Sequence, residues 1–267
     1  MLAAPGAVAL VFFLLLPIAF VVLDAFADGL GAFSRVFANP VFWSSLLGSA
    51  LLTLTAASFS LVVGFAVALH LSRLRPQTRS ALLFVIALPL TFSGLIVAFG
   101  FILTYGRAGF VTQLLAVAGV DPVAFSGILY SPVGLALASS YYLIPRVVML
   151  LLPVLINFEG IQITAAESLG ATRRQAIMHI LIPQISPTAA TAFCLIAAVV
   201  FGAYGTALAL VGTRLNILPL QLYSLISETG TDFPAAAALA LLLIAICSSI
   251  MAVGEVFAAR TELSAYR

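Results

Sequence analysis

The sequence predicts an all-α, polytopic integral membrane protein with six transmembrane helices. The chain of 267 residues is 63% hydrophobic and only 7% charged, whereas soluble domains carry about 25% charged residues. Several apolar runs reach the ~20 residues that a helix needs to cross a bilayer. These runs lack the alternation of apolar and polar residues that is typical of membrane barrels. We therefore expect one helical transmembrane domain over residues 1–267.

Polar segments divide the apolar runs into six predicted spans. The second is rich in Ser, Thr and Gly, small residues that let membrane helices pack closely. The third contains Pro89 and Gly94, which a membrane helix tolerates where protein or a cavity satisfies the freed backbone groups. Residues 111–120 are too few to cross and predict an interfacial or re-entrant helix. A short amphipathic helix is expected at 220–227. The approximate spans are 4–23, 46–71, 81–105, 132–152, 188–211 and 235–257.

The absence of lysine excludes several kinds of chemistry. All eleven basic residues are arginine, and a P-loop needs the lysine of G-x-x-x-x-G-K-[ST] to reach nucleotide phosphates. The chain is therefore predicted to have no ATPase site and no lysine Schiff-base chemistry. Cys194 and Cys247 fall in apolar runs and are expected to be buried thiols. His70 and His179 lie on separate elements, so we expect no metal site and no cofactor.

Arginine counts in the short loops predict the orientation in the membrane. With six spans, both termini share a side with the loop after the second span and with the polar segment at 157–183. Seven arginines fall on that side: Arg73, Arg75, Arg79, Arg173, Arg174, Arg260 and Arg267. Three fall on the other: Arg35, Arg107 and Arg214. Because arginine-rich loops stay in the cytoplasm, both termini and the polar segment are predicted to be cytoplasmic.

The polar segment at 157–183 combines capping residues, charge and apolar positions. Thr164 and Glu167 have the spacing of a capping box, which predicts the start of a short helix. Gly170 stands where that helix is expected to end in the left-handed conformation, which glycine adopts without steric cost.

A second short helix is predicted directly after that bend. Thr172 and Gln175 form another capping box, and Pro183 predicts a break or kink because it lacks an N–H and restricts the residue before it. Two short helices joined by a bend, placed between membrane spans, are a good candidate for docking a partner protein.

The same segment carries a pattern with fixed spacing. Two adjacent alanines are followed after three residues by glycine, and nine residues later by Ile-x-Ile-Pro. The matching residues are Ala165, Ala166, Gly170, Ile180 and Pro183. This pattern resembles the EAA loop, E-A-A-x-x-x-G, nine residues, I-x-L-P, of permease subunits of binding-protein-dependent type I ABC importers. The resemblance covers about 46–258, and spacing, position and topology agree.

Two residues depart from the pattern of that family. Thr164 replaces the first Glu and removes a carboxylate, so any contact that this carboxylate makes in relatives is in doubt here. Ile182 replaces the Leu before the final Pro, which is a conservative change.

The resemblance implies the fold of a type I ABC importer permease and a set of partners. The loop would be the coupling helix, inserted into a groove on a dimer of separate ATPase subunits that bind the ATP. The other implied partners are a second permease, expected to be a different chain, a solute-binding protein and membrane lipid, with no nucleic acid. Arg173 and Arg174 would pair with ATPase carboxylates, or would simply mark the inner face of a bacterial inner membrane.

A finer resemblance concerns the solute. The segments 201–212 and 217–223 resemble the spermidine/putrescine-type branch, which implies a polyamine or similar small cation. That branch and its relatives also handle ferric iron, phosphonate and thiosulfate, and these stay as alternatives.

Five residues are candidates for the translocation pathway. Arg146 falls within the fourth span, where a charge is costly and commonly faces a pathway; alternatively it extends to the cytoplasmic interface. Aromatic residues could line a route for a cation, or could simply pack in the core. They are Tyr141, Tyr142, Phe201 and Tyr204.

Two other classes of function are alternatives. A stand-alone secondary transporter would need ionisable groups in mid-membrane, and Arg146 is the plausible one. An intramembrane enzyme has no supporting constellation, since the sequence contains neither G-x-S-x-G nor H-E-x-x-H.

Overall fold

A computed structural model of the chain describes residues 11–158, 161–227 and 232–265. Within these ranges all regular structure is helical, which confirms the all-α prediction. We number the α-helices in chain order, leaving short 3₁₀ and π turns unnumbered. They are α1 Leu16–Ala25, α2 Gly31–Ala38, α3 Pro40–Ser72, α4 Pro76–Ala87, α5 Gly94–Tyr105, α6 Phe110–Val117, α7 Pro122–Leu129, α8 Pro132–Asn157, α9 Ile161–Ser168, α10 Arg173–Ala176, α11 Ile182–Phe201, α12 Gly205–Val211, α13 Leu218–Ser227 and α14 Phe233–Ala265.

Five helical segments of the described residues are long and apolar enough to cross a membrane, and a shorter apolar helix at Val11–Ala25 precedes them. The five are Pro40–Ser72, Gly94–Val117, Pro132–Asn157, Arg173–Phe201 and Phe233–Arg260. The predicted first span begins at residue 4, so its first residues lie outside the described part of the chain. The five long segments and the shorter helix agree with a polytopic helical membrane protein.

Helix α3 has a capped start and an inner face built from small residues. The Asn39 side chain accepts a hydrogen bond from the Val41 backbone N–H at 2.9 Å, and Pro40 occupies the first turn. A stripe of small residues at helical spacing is buried along one face, including Ser45, Ser49, Ala56, Ala57, Ser60, Gly64 and Ala68. Small residues at this spacing let a second helix approach closely.

That second helix is α8, the most buried of the five long helices. In its most apolar window 61% of the residues are buried, against 17–33% for the other four. Ser60 donates a hydrogen bond to Ser140 across the interface at 3.0 Å. A Cβ atom at Gly64 would lie only 2.6 Å from the Cβ of Val147, so glycine is what permits this separation between α3 and α8.

The third predicted span, 81–105, differs from the helices observed. Helix α4 ends at Ala87, a 3₁₀ turn follows at Leu88–Thr91, and α5 begins at Gly94. Pro89 falls in this turn, where its missing N–H interrupts the α-helical hydrogen bonds. The long apolar segment is instead Gly94–Val117. It includes residues 111–117 of the run 111–120 that was expected to be interfacial or re-entrant, and this part forms a separate short helix, α6, after a break at 106–109.

The fifth and sixth predicted spans also differ in their bounds. Helix α11 begins at Ile182 and ends at Phe201, and a short break around Gly202 separates it from α12. Helix α14 extends to Ala265, well beyond the predicted end at 257. The amphipathic helix predicted at 220–227 is confirmed as α13.

An ion pair joins the second helix to the last. Arg35 of α2 donates from Nε to Asp232 Oδ2 at 2.8 Å and from Nη2 to Asp232 Oδ1 at 3.0 Å. Nη2 also contacts Asp28 Oδ2 at 3.0 Å. Asp232 in turn caps α14 by accepting from the Ala235 N–H at 3.1 Å. The pair therefore connects the start of the last long helix to the N-terminal part of the chain.

Candidate functional site

The polar loop between α8 and α11 begins with α9, and its start corrects one prediction. Helix α9 runs Ile161–Ser168, so Thr164 lies inside the helix rather than at its cap. The Thr164 carbonyl accepts a hydrogen bond from the Ser168 hydroxyl at 2.9 Å. The predicted capping box of Thr164 and Glu167 is therefore wrong. The two residues before Ile161 in the predicted loop lie outside the described residues.

Gly170 ends α9 in the left-handed conformation, as predicted. Its φ is +92°. The Gly170 N–H bonds the Glu167 carbonyl at 3.0 Å, and the Ala171 N–H bonds the Ala166 carbonyl at 3.0 Å. These two bonds are the Schellman pattern, which satisfies carbonyls that the helix end leaves without partners. The chain therefore turns sharply at a fixed position.

The second capping box is confirmed. Gln175 Oε1 accepts from the Thr172 N–H at 2.9 Å, and the Gln175 N–H donates to the Thr172 hydroxyl at 3.3 Å. Both bonds of the reciprocal pair are present, so α10 starts directly after the bend.

The expected break before Pro183 takes another form. The backbone stays helical, with Ile182 at φ −61° and ψ −47°. The residues Ile177–Leu181 form a π turn, and the Ile182 N–H bonds the Ile177 carbonyl five residues back. A π turn changes the hydrogen-bond register by one residue, which lets the helix pass through a proline without a break.

The loop is anchored to the membrane helices at its C-terminal part. Ala176, Leu181 and Ile185 are buried, and Gln184 donates to Gln162 at 2.7 Å, linking α11 to the first turn of α9. The two short helices are therefore held against the membrane domain.

The remaining surface of the loop faces away from the protein. Ala165, Glu167, Gly170, Arg173 and Arg174 are exposed, together with Thr164 and Pro183, while Ala166 and Ile180 are half-buried. No ion pair involving these charged residues is recorded within the described part of the chain.

Leu169 is the functional candidate that the sequence analysis missed. Its side chain is 90% exposed directly before the Gly170 bend. A leucine this exposed between charged residues offers apolar surface that a partner can bury. The sequence feature that could have identified Leu169 is its position at the end of a predicted polar helix. In so apolar a chain, however, a leucine is ordinarily assigned to the core.

The five candidate pathway residues lie at separate places. Tyr141 is exposed and contacts Phe101 edge-on, with ring centroids 5.9 Å apart. Phe201 is buried in the core with residues of α13 and α14, which is a packing position. Tyr204 contacts Tyr223 at 5.4 Å. Of the five, the structure brings together only Tyr142 and Arg146.

Arg146 and Tyr142 lie on successive turns of α8. The guanidinium carbon is 5.5 Å from the centre of the Tyr142 ring, a cation–π distance. Arg146 Nη1 donates to the Tyr142 carbonyl at 3.0 Å. The Tyr142 hydroxyl lies 3.5 Å from the Thr206 hydroxyl, which links α8 to α12.

Solved structures identify the fold as that of an ABC transporter permease. The chain superposes on the bacterial alginate ABC transporter in complex with alginate pentasaccharide-bound periplasmic protein, with a TM-score of 0.73 at 20% identity. The superposition covers 97% of this chain and 93% of that one. A second structure of an alginate-importing transporter gives a TM-score of 0.72 at 20% identity, over 96% and 93%.

The family follows from the sequence itself. The model of the family described as binding-protein-dependent transport system inner membrane component matches residues 60–263. The chain belongs to this family, which makes it a multi-pass inner-membrane transport subunit, as the resemblance to importer permeases predicted.

Similar curated proteins are permeases with different solutes in their names. The chain is 29% identical to Sulfate permease 2, chloroplastic, of Chlamydomonas reinhardtii, over 85% of this chain and 61% of that protein. It is 26% identical to the sulfate permease CysT of Escherichia coli, over 87% and 82%. It is 28% identical to the spermidine/putrescine permease PotB of Escherichia coli, over 56% and 54%. The chain thus spans about three-fifths of the first relative and about half of PotB.

Proposed function

We propose that this chain is the permease subunit of an ABC importer, and that the loop from α9 to α10 transmits ATP-driven movement from a separate ATPase dimer. The observation that carries the proposal is an anchored and sharply bent loop that presents an almost fully exposed leucine. The chain has no lysine, so a P-loop must be supplied by a partner. ATP is bound by the ATPase, and this chain needs no cofactor.

The chemistry of the loop suits a docking role. Leu169 offers an apolar anchor, the neighbouring Ala165 and Gly170 allow close approach of another backbone, and Arg173 and Arg174 offer exposed positive charge. Positive charge beside an apolar anchor favours an acidic groove. Thr164 is exposed at the position where the family pattern has a Glu. The groove on the ATPase therefore needs no basic residue to pair with this position.

The assembly follows the family pattern. A second permease, proposed to be a different chain, completes the pathway, and a solute-binding protein delivers the solute at the outer face. Both termini and the loop are proposed to lie in the cytoplasm, on the basis of the arginine distribution. Alternating access results when ATP closes the ATPase dimer and moves the two coupling loops together.

The solute is proposed to be a small charged molecule. A polyamine, the first expectation from sequence, and sulfate both occur in the names of similar permeases. The resemblance of the segments 201–212 and 217–223 to the polyamine branch does not exclude its relatives, so ferric iron, phosphonate and thiosulfate stay as the alternatives from sequence.

Affinity for the ATPase tests the docking role directly. Leu169→Ser in the assembled permease pair is expected to weaken ATPase binding roughly ten- to hundredfold, because burying a leucine contributes about 1.5–3 kcal/mol. Leu30→Ser is the matched control, since Leu30 is 71% exposed outside the loop. Titration of the ATPase onto permease in nanodiscs gives both dissociation constants.

The proposal is contradicted if both variants bind the ATPase like the native permease, or if Leu30→Ser weakens binding as much as Leu169→Ser. In either case the exposed leucine of the loop would have no specific part in docking.

A further inference from the structure

A charged side chain lies at the middle of the most buried membrane helix. Helix α8 runs Pro132–Asn157, and at ~1.5 Å per residue Arg146 is about 21 Å from the first end and about 17 Å from the second. The hydrocarbon core of a bilayer is about 30 Å thick. With α8 centred in the bilayer, the Cα of Arg146 lies near the centre of the hydrocarbon core, whichever way the helix crosses the membrane.

The direction of the side chain opposes an interfacial role. To reach the interface beside the polar loop, the guanidinium would have to extend toward Asn157. It extends the opposite way, to the Tyr142 carbonyl and ring one turn closer to Pro132. The charge is thus held at mid-membrane and does not extend to the nearer helix end.

No carboxylate neutralises this charge within the described residues. The recorded ion pairs of that part of the chain both involve Arg35. No Asp or Glu occurs in seven helices of the described chain, α3, α5, α6, α8, α11, α12 and α13. A guanidinium has five N–H donors, and the one hydrogen bond recorded for Arg146 uses a single donor. The remaining donors are available to an acceptor from outside the chain.

The face that carries Arg146 is open. The side chain of Arg146 is only half-buried. Met149, three residues further on the same face, is 51% exposed although α8 as a whole is the most buried of the long helices. An uncompensated charge on an open mid-membrane face is expected to line a pathway rather than contact lipid, because a bare charge in hydrocarbon is costly.

We propose that the transported solute is a small oxyanion, and that Arg146 provides the positive centre that it meets in the pathway. The planar guanidinium fork matches the paired oxygens of sulfate, phosphonate, phosphate and carboxylate groups. A polyamine would meet a like charge at the same point, with no described carboxylate to offset the repulsion. This inference rests on the proposed permease function and narrows its solute class.

Charge-selective labelling tests the inference without knowledge of the solute. Met149→Cys is introduced into the complete transporter with Cys194→Ala and Cys247→Ala, and is modified by two methanethiosulfonates, one carrying a sulfonate and one a trimethylammonium. The Arg146 guanidinium extends toward Tyr142 and away from residue 149, so it lies roughly 10 Å from the new thiol by helix geometry. Even at the dielectric constant of water, reagents of charge −1 and +1 at that distance differ in rate on the order of fourfold, in favour of the anionic reagent.

Two further variants isolate the role of the charge. Arg146→Gln is expected to reduce the ratio of anionic to cationic labelling rates to that of free cysteine. Arg146→Lys keeps the positive charge and is expected to preserve the higher ratio. Val133→Cys, about 20 Å away along the same helix, is the control, and its ratio is expected to be independent of residue 146. Copurification of the ATPase shows that each variant assembles.

Three results would overturn the inference. One is a ratio of anionic to cationic labelling rates at Met149→Cys that does not change when Arg146→Gln is added. This would mean that a carboxylate of the second permease neutralises the arginine. Another is no reaction with either reagent, which would place this face against protein or lipid. The third is ATP-driven uptake of radiolabelled spermidine by the native transporter, at a rate that Arg146→Gln leaves unchanged or raises. That last result would leave the importer function intact, whereas loss of ATPase binding in the native complex would remove both proposals.

Discussion

Gly170 is the residue at which the polar loop between α8 and α11 changes direction. Its φ of +92° lies in the left-handed region, and a Cβ atom there would meet nothing within 4 Å. A side chain at this position is therefore opposed by backbone conformation alone and not by a steric clash. The left-handed conformation costs an ordinary L residue about 1–2 kcal/mol, while Asn tolerates it better.

Substitutions at Gly170 should weaken ATPase binding in a fixed order. We expect Gly170→Ala to weaken binding about five- to thirtyfold, because the cost of the left-handed turn opposes the docked geometry. Gly170→Asn should have a smaller effect although its side chain is larger. ATPase titration onto the permease pair measures both. An order in which Asn binds worse than Ala would mean that side-chain size, rather than backbone conformation, matters at this position.

Single residues also show where sequence reasoning stops. The bend at Gly170 and the capping box of Thr172 were predictable, because both depend on bonds within a few residues of chain. The start of α9 was not, since Gln162 bonds Gln184 and helix formation continues N-terminal to Thr164. The exposure of Leu169 was not predictable either, because an apolar residue is assigned to the core unless the surrounding surface is known.

At the scale of elements, the contact between α3 and α8 organises the core. The buried Ser60–Ser140 hydrogen bond and the close approach at Gly64 both lie in this interface. In a membrane, such packing of small residues replaces the hydrophobic driving force that associates helices in water. The stripe of small residues was visible in sequence, but its partner helix was not, because pairing depends on the arrangement of all the helices.

Gly64→Ala should therefore destabilise the permease. The new Cβ would lie 2.6 Å from Val147, and overpacking of a tight core costs about 1–3 kcal/mol. Gly100→Ala is the matched control, since a Cβ there meets nothing within 4 Å. Thermal unfolding in detergent should show a lower Tm for Gly64→Ala and an unchanged or slightly higher Tm for Gly100→Ala. Equal Tm values for the two variants would contradict the packing described here.

The ion pair between α2 and α14 is expected to make stability depend on pH. Hydrogen bonding from Arg35 holds the pKa of Asp232 below its usual value. A carboxyl with a lowered folded pKa stabilises the protein above its unfolded pKa, and this stabilisation is lost as the pH falls through the folded pKa. The groups are exposed, so the effect is small and is screened by salt.

Asp232→Asn should lower the Tm near neutral pH, because it removes the charge that Arg35 binds. The difference between native and variant protein should shrink as the pH falls through and below the usual carboxyl range, near 4, and should also shrink in high salt. Unfolding curves over a pH series measure both effects. A difference that is constant with pH would mean that Asp232 acts only as a neutral cap of α14.

At the scale of the whole molecule, the fold class followed from composition, but the bounds of several helices did not. Pro89 and Gly202 interrupt runs that are continuous by hydropathy, and hydropathy contains no information on hydrogen-bond register. Near Pro183 the reverse holds, because a π turn carries the helix through a proline that predicted a break. A proline therefore signals a helix break reliably only where the local backbone cannot change its hydrogen-bond register, as the π turn does before Pro183.

The central claim is that this chain transports a solute only when a separate ATPase acts on its coupling loop. The most direct measurement is uptake of radiolabelled sulfate and of radiolabelled spermidine into proteoliposomes that contain both permeases, with the solute-binding protein added. ATP and the ATPase are supplied or withheld. We predict uptake of sulfate only when ATPase and ATP are both present, and its loss in Leu169→Ser but not in Leu30→Ser. Uptake without the ATPase, driven by a proton or sodium gradient, would contradict the account and indicate a transporter that works alone.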